Sequence, residues 1–330
     1  MTTEFLTIIV GIALILGLAE VITRNAIGLS EHFQVSGSFI GLTILSVGTS
    51  IPEIMTHLAG SARILQQPET MDRFSGLVVG ANTGATIFEQ NFSLPLISLV
   101  GTIVIMRQLL IAKVGVLVGT SVLVWFFSVD GEIDRIEGFI LVTVYGAYLL
   151  YLAQHQQLTQ EMVFQEADKR QQPVLKQSLL IVLSFGVMAV AADQVVDSAN
   201  RLVDLLSISA SLLGILLLGI AAALPELTIA FLSIFKGHQE ISAGVLIGSN
   251  ITNFLLGIGL GALVSRYTVP DPIIYYDLPV KVATAILLYF FLLHNEVLSR
   301  RKAAILILLF IGYLLGRSTH FPEDFPQLVV

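Results

Sequence analysis

The chain has 330 residues, 55% of them hydrophobic and only 12% charged, with a net charge of −7 and no cysteine. A water-soluble domain carries about 25% charged residues, so an ordinary soluble fold is excluded, and without cysteine there are no disulfides, thiolate metal sites or thiol nucleophiles. The mild acidity carries no footprint of nucleic-acid binding.

In chain order, the first apolar run begins at Phe5 with "FLTIIVGIALILGLA". Glu4 and the lack of a basic start speak against a cleaved signal peptide, so this run is expected to be the first membrane helix. A second run ends in "GTSIPEIMTH", Gly48 to His57, which sets Pro52 directly before Glu53. "GANTGATIFEQNF", Gly80 to Phe92, comes next with a Gly-x-x-x-Gly spacing and Glu89. "LLIAKVGVLVGTSVLVWFF" and "GFILVTVYGAYLLYLA" close the first half. Residues 154–177 are too polar to enter a bilayer and are expected to form a cytoplasmic linker between one unit, 1–153, and a second, 178–330. That second unit carries "AAALPELTIA", Ala221 to Ala230, then "GVLIGSNITNFLL", Gly244 to Leu256, among its own apolar runs. A bilayer core takes roughly 20 apolar residues per helix. The reading is an all-α integral membrane protein of about ten transmembrane helices.

The two halves resemble each other. Aligning Glu53 with Glu226 pairs residues 19–53 with 192–226 without a gap, matching Pro52 with Pro225, Ser36 with Ser209, Ser38 with Ser211 and Gly41 with Gly214. Downstream of a short insertion, Gly80–Phe92 pairs with Gly244–Leu256, which sets Glu89 against Asn253. Five spans per half is an odd number, so equivalent helices run in opposite directions. This is the inverted repeat of many secondary transporters, whose sites lie at the repeat interface near mid-bilayer. With the N-terminus outside, a modest excess of the 17 Lys and Arg falls on the cytoplasmic side. Both termini are therefore expected to be external, in the cell (inner) membrane.

Proline has no N–H and clashes with the preceding turn, so Pro52 and Pro225 interrupt their helices. Freed carbonyls are tolerated at membrane depth only in protein or beside water, where they can coordinate a cation. A glutamate after each break adds charge, and an ionisable residue inside a span is a functional hypothesis by default. Brought together by symmetry, Glu53 and Glu226 would repel unless a cation bridged them. Carboxylates and carbonyls suit a hard ion such as calcium.

"GTSIPE", "LPE" and "GSNITN" resemble the paired repeats of the cation/calcium exchanger superfamily, typified by sodium/calcium exchangers, and the likeness spans nearly the whole chain. It implies that Glu53 and Glu226 are the central calcium ligands. Thr49 and Ala222 would lend carbonyl oxygens, Ser50 and Ser249 would line sodium sites, and Glu89 and Asn253 would complete the set at a position usually held by Asn or Asp. The chain departs from the pattern in having Ala222-Ala223 for Thr-Ser and Ala85-Thr86 for Ser-Asn. Hydroxyls for the flanking sodium sites are thus missing on one side of each repeat. His57 lies one turn beyond Glu53 on the same helix face. It could pass protons with Glu89, turn the site toward zinc or manganese, or bond to a neighbouring helix.

The expected function is a secondary active antiporter exchanging calcium, or a similar divalent cation, for sodium or protons. Alternating access would come from the first two helices of each half moving against the rest. The alternatives are a proton-coupled transporter of another divalent metal and a passive cation channel. No His-Glu-x-x-His or paired-Asp motif is present, so an enzyme is not expected. Nor is any cofactor; the expected partners are inorganic cations and the lipid bilayer.

Overall fold

The computed structural model describes residues 2–32, 46–101, 103–104, 111–154, 173–235 and 239–325. In the first half, α1 (Thr2–His32) is followed by a broken pair, α2 (Ser46–Thr49) and α3 (Ile51–Gln66). Next, α4 (Met71–Phe88) runs through a π-turn, Glu89–Ser93, into α5 (Leu94–Val100). A π-turn at Ile111–Gly115 opens α6 (Val116–Ser128), and α7 (Arg135–Gln154) ends the half.

The second half repeats this order. It begins with α8 (Val174–Leu206), then α9 (Ala210–Leu213), a π-turn at Gly214–Gly219, α10 (Ile220–Ala222) and α11 (Leu224–Phe235). The third rod is α12 (Gln239–Thr252), a π-turn at Asn253–Ile258, and α13 (Gly259–Val264). A π-turn at Ile273–Asp277 leads into α14 (Leu278–Asn295), and α15 (Arg300–His320) is last.

The described helices thus form ten rods, five in each half, as the sequence leads one to expect. Among the described residues, seven stretches are long and apolar enough to cross a membrane, and Lys113–Ser128 is a shorter apolar one. The protein is an all-α integral membrane protein built as two inverted repeats. Ser36, Ser38, Gly41 and most of the polar stretch 154–177 lie outside the described residues.

The inversion shows in details the sequence did not announce. Matched π-turns begin at Glu89 and at Asn253, and another matched pair opens α6 and α14. A π-turn inserts one residue and re-aims the side chains beyond it, which is why such turns gather at functional sites. Two short antiparallel clasps join the halves: Ile103–Val104 (β1) with Val297–Leu298 (β4), and Glu132–Ile133 (β2) with Tyr267–Thr268 (β3). As β1 follows α5, so β3 follows α13; as β2 follows α6, so β4 follows α14. Exchanging the halves therefore exchanges the clasps.

Close packing seats the site. The α4 glycines cross the π-turn after α9 almost backbone on backbone: a Cβ on Gly84 would lie 2.5 Å from the Ile215 Cα, and one on Gly80 2.6 Å from the Ser211 carbonyl. Small residues let membrane helices approach this way. On the flank, α1 and α8 meet along a seam of buried Ile8, Ile15 and Ile22 against Met188, Val195 and Leu202. Seven-residue spacing on both helices is the signature of a coiled-coil seam. Outward, Leu6, Ile9, Phe126, Phe139, Leu175 and Val182 are exposed, as a lipid-facing surface requires.

Candidate cation site

The two Pro-Glu motifs each begin a helix. Ser50 (φ −84°, ψ 1°) ends the α2 turn, and α3 starts at Ile51 with Pro52 in its first turn. Pro225 holds the same place in α11. Because neither proline has an N–H, the carbonyls of Gly48 and Ala221, four residues earlier, lose their helical partner. The glutamate after each proline sits in the first turn of the new helix, at the positive end of its dipole.

Those breaks bring three carboxylates together. One oxygen each from Glu53, Glu89 and Glu226 lies within 4.8 Å of the others, and all three residues are buried. Both oxygens of Glu53, both of Glu226 and Oε1 of Glu89 have no hydrogen-bond partner. Asn82 Oδ1, in the cavity wall beside Glu53, and both side-chain polar atoms of Asn253 are also buried without a partner, as are Ser50 Oγ and Thr83 Oγ1. Leaving one buried polar group unsatisfied costs about 1–3 kcal/mol, and a charged one more. These unpartnered groups, all but the Asn253 amide nitrogen being oxygens, are the kind of donor set a bound cation would use. Thr49 is buried and faces Glu226, and Asn253 faces Glu53.

The other oxygen of Glu89 is held. Its Oε2 accepts from Ser249 Oγ at 2.9 Å and from Asn250 Nδ2 at 2.5 Å. Asn250 Oδ1 in turn accepts from the ammonium of Lys281, a fully buried lysine on α14. That ammonium also donates to the Thr86 carbonyl at 3.0 Å and to Gln90 Oε1 at 2.8 Å.

His57 is buried, and both ring nitrogens are engaged. Nε2 accepts from Asn82 Nδ2 at 3.0 Å, which assigns the ring proton to Nδ1, 3.2 Å from the Tyr267 hydroxyl. Tyr267 donates back to the His57 carbonyl at 3.1 Å. The second Asn82 amide proton goes to the Asn253 carbonyl at 2.8 Å. With both its protons committed, Asn82 is oriented and its free oxygen is left for that donor set.

Residues 3–154 and 176–319 match the family described as sodium/calcium exchanger protein. The chain belongs to that family. It is 28% identical to the inner membrane protein YrbG of Escherichia coli K12, over 81% of this chain and 82% of that one. It is 23% identical to the sodium/calcium exchanger MaX1 of Methanosarcina acetivorans, over 95% and 98%. Among solved structures it shares its fold with the sodium-calcium exchanger NCX_Mj (TM-score 0.63, 20% identity, 95% and 98% covered). It likewise shares it with the H+/Ca2+ exchanger CAX (TM-score 0.78, 15% identity, 94% and 82% covered).

Of the residues marked out in this family member by sequence, Glu53, Glu89 and Glu226 gather at one place, Asn253 faces Glu53, Thr49 faces Glu226, Ser249 is bonded behind Glu89, and Ser50 is buried with its hydroxyl unpartnered. Ala222 is half-buried and lines a cavity of about 30 Å³ with Pro52, Glu53, His57 and Asn82. Room for a single water needs only about 10–15 Å³ on this measure. Glu20 and Asp193, the other acidic pair that the repeat alignment matches, are tied up with Arg24 and Arg63. Sequence reading missed Asn82, Asn250, Gln90 and Lys281. For Lys281 a signal existed: it is the one Lys or Arg between Arg266 and Arg300, inside an apolar run. An ionisable residue inside a span is enough to raise the question.

Proposed function

We propose that the protein is a secondary active antiporter that exchanges calcium, or a divalent cation of similar size, for sodium or protons by alternating access. One observation carries this reading: three buried carboxylates converge within 4.8 Å with most of their oxygens unpartnered. Calcium takes six to eight oxygens at flexible geometry, and the carboxylates with Asn82, Asn253, Ser50 and the carbonyls freed by proline offer that many. His57 spends both nitrogens on Asn82 and Tyr267, which leaves an oxygen donor set and favours a hard ion over zinc. Family membership supports the same reading, since MaX1 and NCX_Mj are named as sodium/calcium exchangers and CAX as an H+/Ca2+ exchanger. The relative named as an inner membrane protein supports that membrane here, and the Lys and Arg distribution favours both termini outside.

In this reading Glu53 and Glu226 bind the divalent ion from opposite halves, Glu89 adds the third charge, and Ser50, Thr49, Asn253 and the Ala222 region complete the shell. An empty cage of carboxylates is costly to occlude, so the site crosses loaded with either the divalent ion or the counter-ions, and that couples their flows.

The test is radiolabelled calcium uptake into proteoliposomes under an outward sodium gradient or an outward proton gradient. Uptake under at least one gradient, abolished by Glu226→Gln, is the expected result. Uptake that ignores both gradients would mean a passive pathway. No calcium movement in either case would sink the calcium assignment.

A further inference from the structure

Lys281 is fully buried in α14, one helix away from the carboxylates, and none of the motifs accounts for it. Its ammonium has three protons and meets three oxygens: the Thr86 carbonyl at 3.0 Å, Gln90 Oε1 at 2.8 Å and Asn250 Oδ1. Gln90 is fixed with its oxygen toward the ammonium because its amide nitrogen donates to Thr284 Oγ1 at 2.8 Å and to the Lys281 carbonyl at 3.2 Å. Asn250 spans the gap to Glu89, accepting from the ammonium and donating to Glu89 Oε2. Both halves supply these contacts from matched positions. Thr86 aligns with Asn250, and Gln90 aligns with Phe254, whose ring centroid lies 5.6 Å from the ammonium. Neutral oxygens converging from two inverted repeats are what a bound monovalent cation would use, and here a side chain fills the position.

We propose, building on the exchange reading above, that the Lys281 ammonium is a tethered monovalent cation of the transport site and fixes the charge moved per cycle. Three carboxylates and one ammonium leave two negative charges to be met from solution. One divalent cation then exchanges against two monovalent cations, and no net charge crosses the membrane. Without the ammonium, three charges need neutralising, and a third monovalent cation enters.

The experiment clamps the membrane potential of calcium-loading proteoliposomes with potassium and valinomycin and reads the steady-state calcium accumulation ratio. For the unaltered protein the ratio is expected to be independent of potential. For Lys281→Gln it is expected to change by up to about fiftyfold per 100 mV, the value for one uncompensated charge. Lys281→Arg keeps the charge and stays insensitive. The double variant Glu89→Gln/Lys281→Gln restores two charges and returns to insensitivity. Where Lys281→Gln binds calcium without transporting it, displacement of bound calcium by the driving cation gives the same quantity: order two for the unaltered protein, order three for the variant.

A ratio that tracks potential in the unaltered protein overturns the proposal without any variant. So does a transporting Lys281→Gln that ignores potential, or an equal displacement order in both proteins. Absence of calcium uptake by the unaltered protein under every gradient marks a different failure, that of the exchange reading itself, and the proposal falls with it.

Discussion

His57 stands one turn beyond Glu53, a spacing that invites a role in proton transfer, but its partners assign it a different one. Nε2 accepts from Asn82, and Nδ1 lies against Tyr267, itself 2.6 Å from Ser61 Oγ. The chain of bonds ends on Asn82, whose oxygen enters the cage. Replacing Asn82 by leucine, the residue at the matched position Leu246, removes that oxygen and leaves His57 and the Asn253 carbonyl without their donor. Calcium affinity, measured by titration calorimetry on purified protein, is expected to fall about tenfold, or ~1.4 kcal/mol. His57→Phe keeps the ring volume and loosens Asn82, so a smaller loss of roughly threefold is expected, within the net worth of one hydrogen bond. Proton-driven calcium uptake by His57→Phe should persist at saturating calcium. Its disappearance would make the histidine a proton carrier after all.

At the scale of elements, the Pro-Glu breaks were legible because each rests on local chemistry: a missing N–H opens the helix, and the next residue brings charge. The ten-rod plan was legible from apolar runs and from the odd number of spans in each repeat. The π-turns were not, since one extra residue in a helical turn leaves no mark on a hydropathy pattern. Lys281 stayed hidden for a related reason. Its partners lie on α4, on the π-turn after it and on α12, and only packing brings α14 beside them. The glycine spacing of α4 suits a close helix crossing, and α4 makes one beside α9. Gly84→Ala would press a Cβ into the Ile215 backbone at 2.5 Å, with no flexible side chain to give way. Overpacking of this kind costs about 1–3 kcal/mol, and it shifts the helix that carries Glu89 five residues on. A lower Tm with weakened calcium binding is therefore expected by thermal melting and calorimetry. Gly119→Ala in α6, with nothing within 4 Å of the new methyl group, is the matched control and should leave Tm unchanged or raise it.

Under the proposed exchange the whole molecule opens the cage to one side at a time, and the site bears on which helices would do so. Its ligands come from α3, α4, α11 and α12, so these must stay together while an ion is bound. The sequence groups the first two rods of each half as the moving part; if the ligand-bearing second rods instead stay with the core, α1 and α8 are what remains to move. Those two form a unit of their own, packed along the seven-residue seam and pinned at one end by Arg201 Nε to Glu4 Oε2 at 2.9 Å. Their hold on the core includes Arg63 on α3, whose guanidinium makes two bonds to Asp193 at 2.7 and 2.8 Å. The natural chain has no cysteine, so pairs can be introduced without a background. A Cβ on Gly11 would lie 3.9 Å from that of Val195, within the 3.5–4.5 Å a disulfide needs. Gly11→Cys/Val195→Cys should therefore form a bridge inside the moving pair and retain calcium uptake when oxidised. Arg63→Cys/Asp193→Cys, joined by a short thiol cross-linker, fastens that pair to the core and should stop uptake until the link is reduced. If the first bridge also stops uptake, α1 and α8 must slide past each other; if the second does not, access to the site is controlled elsewhere.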